Sequence, residues 1–189
     1  MNIDVQLIEK VVKKVLTDVE SACPADDYTY GIFETMDDAI EASAKAQKEY
    51  MNYSMSDRQR FVEGIREVVC QKENLEYMSK LAVEESGMGA YEYKLIKNRL
   101  AAEKSPGIED LTTEALSGDD GLTLVEYCPF GVIGAIAPTT NPTETVICNS
   151  IGMLAGGNTV VFSPHPRSKG VSIWLIKNIN AKLVELGAP

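Results

Sequence analysis

The chain has 189 residues, 44% of them hydrophobic and 24% charged, the balance of a globular protein able to bury ~70% of its unfolded surface in one or two domains. A net charge of −10 and a pI near 4.6 repel phosphate backbones and anionic headgroups, which argues against nucleic-acid and membrane partners. No apolar run approaches the ~18–20 residues that cross a bilayer, and the N-terminus lacks the basic segment, apolar core and cleavage site of a secretory signal, so a cytoplasmic location is expected.

Residues 1–20 open the chain with an amphipathic helix pattern. Ile3, Leu7, Ile8, Val11, Val12, Val15, Leu16 and Val19 recur at helical spacing, although Asp4 and Asp18 interrupt the stripe near its ends. Residues 21–34, with Pro24 and Gly31, read as a linker. Thr35 can cap a helix running to Tyr50, with Asp37 and Asp38 in its first turn. Ser56 can cap a second, whose buried stripe is Phe61, Ile65, Val68 and Val69. A third is predicted from Asn74 to Ser86, ended by Gly87 and Gly89, and a fourth from Tyr91 to Glu103, stopped by Ser105-Pro106-Gly107.

Beyond a polar stretch containing Gly118 and Gly121, the pattern changes. Leu122, Leu124, Glu126 and Cys128 alternate with Thr123, Val125 and Tyr127, as a strand does. Gly131 to Ala137 is a nearly all-apolar run ended by Pro138, which reads as a strand buried on both faces of a parallel sheet. A helix follows from Asn141 to Ala155, then a second buried strand at Thr159 to Phe162. A last helix is predicted from Arg167 to Leu186, with Val171, Trp174, Leu175, Ile179, Leu183 and Leu186 inward. Strand, helix, strand, helix is a β-α-β unit of a doubly wound sheet. Two central strands make either a small complete domain or half of a larger sheet whose next strand would follow Gly187-Ala188-Pro189.

Ligands of open α/β sheets bind beyond the carboxyl ends of the strands. There the sequence places Pro138, Thr139, Thr140 and Asn141 after one strand, and Ser163, Pro164, His165 and Pro166 after the other. The Asn141 amide could donate to an oxygen that becomes negative in acyl chemistry, or it could cap the helix starting near Pro142. Ser163 to Pro166 could form a rigid, lightly polar rim for a nucleotide base or ribose, or a proline-stiffened turn. Four scattered cysteines and one histidine give no spacing for a zinc site and no nucleophile elbow. Without a secretory signal the cysteines are expected to be reduced rather than paired. Cys148 lies seven residues after Asn141, ~10 Å along a helix, too far for one intermediate to touch both; a core-packing role is expected for it.

Several ordered motifs resemble the aldehyde dehydrogenase superfamily. They are Pro129-Phe130-Gly131-Val132-Ile133-Gly134, Pro138-Thr139-Thr140-Asn141-Pro142-Thr143-Glu144-Thr145, and the run from Gly157 to Pro166. In detail they are similar to its CoA-acylating branch, the acetaldehyde and propionaldehyde dehydrogenases of bacterial microcompartments. Glu85-Ser86-Gly87-Met88-Gly89 and Pro106 to Thr112 share that similarity, which spans nearly all of 35–189. The implied fold is α/β and aldehyde dehydrogenase-like: N-terminal helices followed by the first half of a Rossmann-like nucleotide-binding sheet.

The resemblance implies roles residue by residue. Asn141 matches the oxyanion-hole asparagine. Pro138, Thr139 and Thr140 match the loop beside the nicotinamide of NAD, and Ser163, Pro164, His165 and Pro166 match the rim meeting the adenosine half. Hydrolytic members usually have lysine at the position of Ser163 and often glutamate at that of Pro166. Their replacement here fits the acylating branch, in which NAD and CoA use overlapping adenosine sites in turn. The implied reaction converts a short-chain aldehyde, NAD and CoA to acyl-CoA and NADH through a cysteine thioester. The catalytic cysteine and the second half of the sheet are expected beyond Pro189, so this chain alone is expected to be inactive.

Under the same resemblance, residues 1–20 are similar to the encapsulation helices that dock enzymes to microcompartment shell proteins, and a homo-oligomer inside such a compartment is expected. The division that follows is 1–20 helix, 21–34 linker, 35–117 helical part of the nucleotide-binding domain, 118–128 oligomerisation-type strand segment, and 129–189 half of the cofactor-binding sheet. The competing reading is a non-catalytic, shortened relative that acts as a microcompartment-targeted scaffold.

Overall fold

The computed structural model of the protein describes residues 30–189, so the helix expected at 1–20 and most of the linker lie outside the described residues. Four helices come first. Helix α1 (Met36–Tyr50) starts as expected: the Thr35 hydroxyl oxygen accepts from Asp38 N at 3.2 Å, and Asp37 and Asp38 lie at the positive end of the helix. Helix α2 (Met55–Cys70) is capped by Ser54, not by the expected Ser56. Ser54 prevails because Asp57, three residues on, completes a capping box, taking the Ser54 N–H at 3.1 Å while donating its own N–H to Ser54 Oγ. Helix α3 (Lys72–Ser86) begins before Asn74, whose amide instead donates to Val68 O at 2.7 Å. It ends at Gly87, where φ is +67°, a left-handed position natural to glycine. Helix α4 (Tyr91–Lys104) leads through Ser105 to a 3₁₀ turn at Ile108–Asp110.

The stretch read as polar is a hairpin. Strands β1 (Glu114–Gly118) and β2 (Gly121–Val125) pair antiparallel from Glu114 opposite Val125 to Gly118 opposite Gly121, and every residue in both is exposed. Few residues of Glu114–Gly118 favour strands, so only the pairing with β2 reveals β1. The regular strand also stops at Val125 instead of continuing to Cys128.

Strand β3 (Val132–Ala137), helix α5 (Pro142–Ala155) and strand β4 (Thr159–Pro164) form the expected β-α-β unit, its strands parallel and in register from Val132 opposite Thr159 to Ala137 opposite Pro164. A 3₁₀ turn (Pro166–Ser168) then precedes helix α6 (Lys169–Glu185), so the last helix starts later than expected. The expectation of strands buried on both faces is not met. Ala135 and Ala137 are buried, but Ile136 points the other way and is 85% exposed. Helices α1 and α5 pack against the two strands, and among the described residues no layer covers Ile136. Phe61, Ile65 and Val69 of α2 meet Val146, Ile147 and Ile151 of α5 and Val171, Leu175 and Ile179 of α6, all buried in one core. Trp174 and Leu186, expected inward, pack on that core only partly buried.

Candidate functional site at the carboxyl ends of the parallel strands

Because Ala137 lies opposite Pro164, the loops after β3 and β4 leave the sheet side by side. His165 N donates to Ala137 O at 2.9 Å, extending the ladder one step. Beyond it, Thr139 Oγ1 lies 2.7 Å from His165 Nδ1. The same nitrogen takes the Arg167 N–H at 3.1 Å, so Nδ1 acts as an acceptor, the ring proton belongs on Nε2, and the Thr139 hydroxyl donates. Thr139 is buried; Pro138, Thr140, Ser163, His165 and Pro166 are exposed, and Pro164 is half-buried. The two groups of residues singled out in the sequence thus form one edge. Exposed Arg167 and Lys169 follow directly, adding positive charge in an otherwise acidic chain. The edge is thus lightly polar and locally basic.

Asn141 occupies the cap position of α5, with Pro142 at the first helical turn, yet its side chain makes no capping hydrogen bond. Its Oδ1 accepts from Lys97 Nζ at 2.6 Å. Capping does not account for this side chain.

Behind the loop lies a polar cluster that sequence reasoning did not anticipate. Lys94, only 3% exposed, donates to Thr140 O at 3.0 Å and to Glu144 Oε1 at 3.0 Å. Lys97 Nζ reaches the same Glu144 oxygen at 3.3 Å. Thr143 Oγ1 donates to Asn98 Oδ1, and Asn98 Nδ2 donates to Ser79 Oγ, both pairs buried. Burial pushes the Glu144 carboxyl upward, but its own backbone N–H, Lys94 and Lys97 together hold it below the usual glutamate range. The sequence held a signal for this: Lys94, Lys97 and Asn98 stand at positions i, i+3 and i+4 of one helix, and Glu144 falls in the first turn of another.

Other motif residues hold the scaffold. Asn158 Oδ1 accepts from Phe130 N at 2.6 Å and Gly131 N at 3.0 Å, tying the entrance of β3 to that of β4. Gly157, at φ +80°, lies against the Arg58 guanidinium, where a side chain would collide. Glu85 Oε2 accepts from Val171 N at 3.0 Å at the start of α6, and Arg167 donates to Ser86 O at 2.7 Å. Cys148 does not pack in the core as expected: it is exposed, its sulfur 3.0 Å from the Ser105 hydroxyl, because the buried face of α5 is carried by Val146, Ile147, Ser150 and Ile151. Among the described residues no cluster of three or more metal-binding side chains occurs, and no helix is long and apolar enough to cross a membrane.

A helical layer followed by a parallel β-α-β unit, with two polar loops converging at its carboxyl edge, defines an α/β protein of the open-sheet class. The chain belongs to the aldehyde dehydrogenase family, whose family model matches residues 14–187. It is 45% identical over 175 residues to the CoA-propanoylating propanal dehydrogenase of Citrobacter freundii, an alignment covering 91% of this chain and 37% of that protein. Among solved structures, the propionaldehyde dehydrogenase of Rhodopseudomonas palustris, with bound CoA and an acylated cysteine, superposes with a TM-score of 0.83 at 70% identity, over 85% of this chain and 36% of that one. An engineered glycolyl-CoA reductase with bound NADP+ gives 0.82 at 69% identity, over 85% and 36%. A propionaldehyde dehydrogenase from the fucose utilisation microcompartment of Clostridium phytofermentans gives 0.79 at 52% identity, over 84% and 36%. The chain therefore spans a little over a third of the length of the relatives it matches.

Proposed function

We propose that this chain forms the cofactor-binding portion of a CoA-acylating aldehyde dehydrogenase, which converts a short-chain aldehyde, a nicotinamide cofactor and CoA to acyl-CoA and reduced cofactor. The observation that carries the reading is Asn141. It stands at the carboxyl end of β3, its oxygen is anchored on Lys97, and its amide nitrogen has no hydrogen-bond partner among the described residues. A donor so placed can stabilise the oxygen that becomes negative when a thiolate adds to an aldehyde carbonyl. Cys148 does not supply that thiolate, since it lies seven residues further along α5, ~10 Å away.

Pro138, Thr139 and Thr140 border the nicotinamide side, and Ser163, Pro164, His165 and Pro166 border the adenosine side. When bound, the nicotinamide supplies the acceptor for the aldehyde's hydrogen and its electron pair. The chain's own contribution is to hold the ring and ribose against a stiff, proline-lined edge. We read the cofactor as NAD, which the family resemblance implies; the NADP+ held by one related structure makes the choice a direct test. CoA would use the same edge after the reduced cofactor leaves. Docking of residues 1–20 to a microcompartment shell protein, and assembly into a homo-oligomer, complete the reading; the microcompartment origin of one relative supports the setting.

The test joins this chain to the remaining part of the Rhodopseudomonas palustris enzyme, giving a full-length protein. CoA-dependent reduction of NAD with propanal is the expected result, and the same assay with NADP measures the cofactor preference. Asn141→Ala should lower kcat ~10²–10³-fold, the cost of one oxyanion donor. A folded full-length protein that reduces neither cofactor would overturn the reading.

A further inference from the structure

Helix α4 grips the loop after β3 at two successive residues. Lys94 Nζ donates to the carbonyl oxygen of Thr140 at 3.0 Å, and Lys97 Nζ, one turn further along the same helix, donates to Asn141 Oδ1 at 2.6 Å. Both ammonium groups also meet Glu144 Oε1, at 3.0 and 3.3 Å. The Glu144 side chain is 11% exposed, and it is fixed in turn by its own backbone N–H in the first turn of α5. One carboxylate therefore holds two lysines, and the two lysines hold consecutive points of the loop.

The chemistry at Lys97 is one-sided. A primary amide can present either its oxygen or its NH2 to a neighbour, and the two orientations differ by a half-turn of the side chain. An ammonium group has three donors and no acceptor, so only the amide oxygen can face it. With the oxygen engaged, the NH2 group is directed away from Lys97. It has no hydrogen-bond partner among the described residues.

We propose that Lys97 is a positioning residue that fixes the orientation of the Asn141 amide, presenting its NH2 as the donor to the substrate oxyanion, with Glu144 and Lys94 holding Lys97 and the loop in place. This rests on the oxyanion role of Asn141 given above. Without Lys97 the amide samples both orientations, and one of them aims an oxygen lone pair at the developing negative charge. That penalty falls on the transition state more than on the bound aldehyde, so it is read in kcat.

The experiment uses the full-length enzyme described above. Lys97→Met should lower kcat roughly ten-fold, a fraction of the whole oxyanion donor, with KM for aldehyde and cofactor within two-fold. Lys97→Arg, whose guanidinium is also a donor without an acceptor, should restore most of the loss. In the double variant with Asn141→Ala, Lys97→Met should cost nothing further, since the group it orients is gone. An unchanged kcat in Lys97→Met, or losses that multiply in the double variant, would overturn the positioning role while leaving Asn141 in place. An unchanged kcat in Asn141→Ala would remove both. Thermal unfolding of each variant separates a packing defect from misorientation: Lys97→Arg and Lys97→Met should melt within a few degrees of each other while differing in kcat.

Discussion

Thr139 and His165 lie 26 residues apart in the chain and 2.7 Å apart in space, joined hydroxyl to imidazole across the ends of two parallel strands. His165 directly follows the last residue of β4 and bonds Ala137 O, and the pair ties the two loops together just beyond the sheet. Thr139→Val keeps the shape of the buried side chain and removes the bond. In the full-length enzyme it should raise KM for the cofactor and for CoA about five-fold, matching the ~1 kcal/mol net worth of one hydrogen bond, with kcat within two-fold. Steady-state kinetics with each co-substrate varied in turn check this, and a change confined to kcat would contradict it.

Lys94 is almost wholly buried and has Glu144 and the Thr140 carbonyl as its partners. Removing one member of a buried ion pair leaves the other uncompensated, which costs ~3–5 kcal/mol. Lys97 still faces Glu144, so Lys94→Met should fall near the lower end, about 3 kcal/mol. Urea unfolding of the purified chain, followed by circular dichroism, measures it.

The same pair sets a pH dependence. The folded Glu144 carboxyl binds its proton less readily than an unfolded glutamate, so in acid the unfolded state takes up more protons and stability falls with pH. The contribution is complete above the unfolded glutamate pKa of about 4.3, and it disappears as pH drops through the lower, folded value. The stability difference between the native chain and Glu144→Gln should thus be constant above about pH 5 and shrink steadily below it. A difference that grew in acid would refute the assignment.

For residues 1–20 the expectation comes from the sequence, since they lie outside the described residues. Fused to a fluorescent protein, they should carry it into microcompartments in a cell that makes shells, and Leu7→Glu or Val11→Glu should abolish this by placing a charge within the apolar stripe. Deleting 1–20 from the full-length enzyme should leave specific activity and oligomer size unchanged. Loss of either would assign the segment to the enzyme's own fold.

The order of elements was legible wherever the signal was local. Thr35, Gly87 and Pro142 mark helix ends by their own chemistry, and the apolar run ending at Pro138 marks β3. What depended on partners distant in sequence was not legible. The strand at Glu114–Gly118 exists through its pairing with β2, and Ser54 outcompetes Ser56 because of one carboxylate. At the site, the motif residues fall together on one edge, but a buried lysine is invisible in composition. Lys94 reads as one more solvated charge until Glu144, 50 residues later, arrives beside it.

Glu144 and Glu85 have a shared consequence. The first accepts from its own backbone N–H in the opening turn of α5, and the second takes the Val171 N–H in the opening turn of α6. The start of a helix ordinarily attracts a phosphate; here both starts beside the ligand edge are already answered by the protein's own carboxylates. A diphosphate laid across this edge would be a guest without a socket, held by the rim and by Arg167 and Lys169. Under the proposed function, short residence would suit an edge that releases one adenosine-bearing ligand before it admits another.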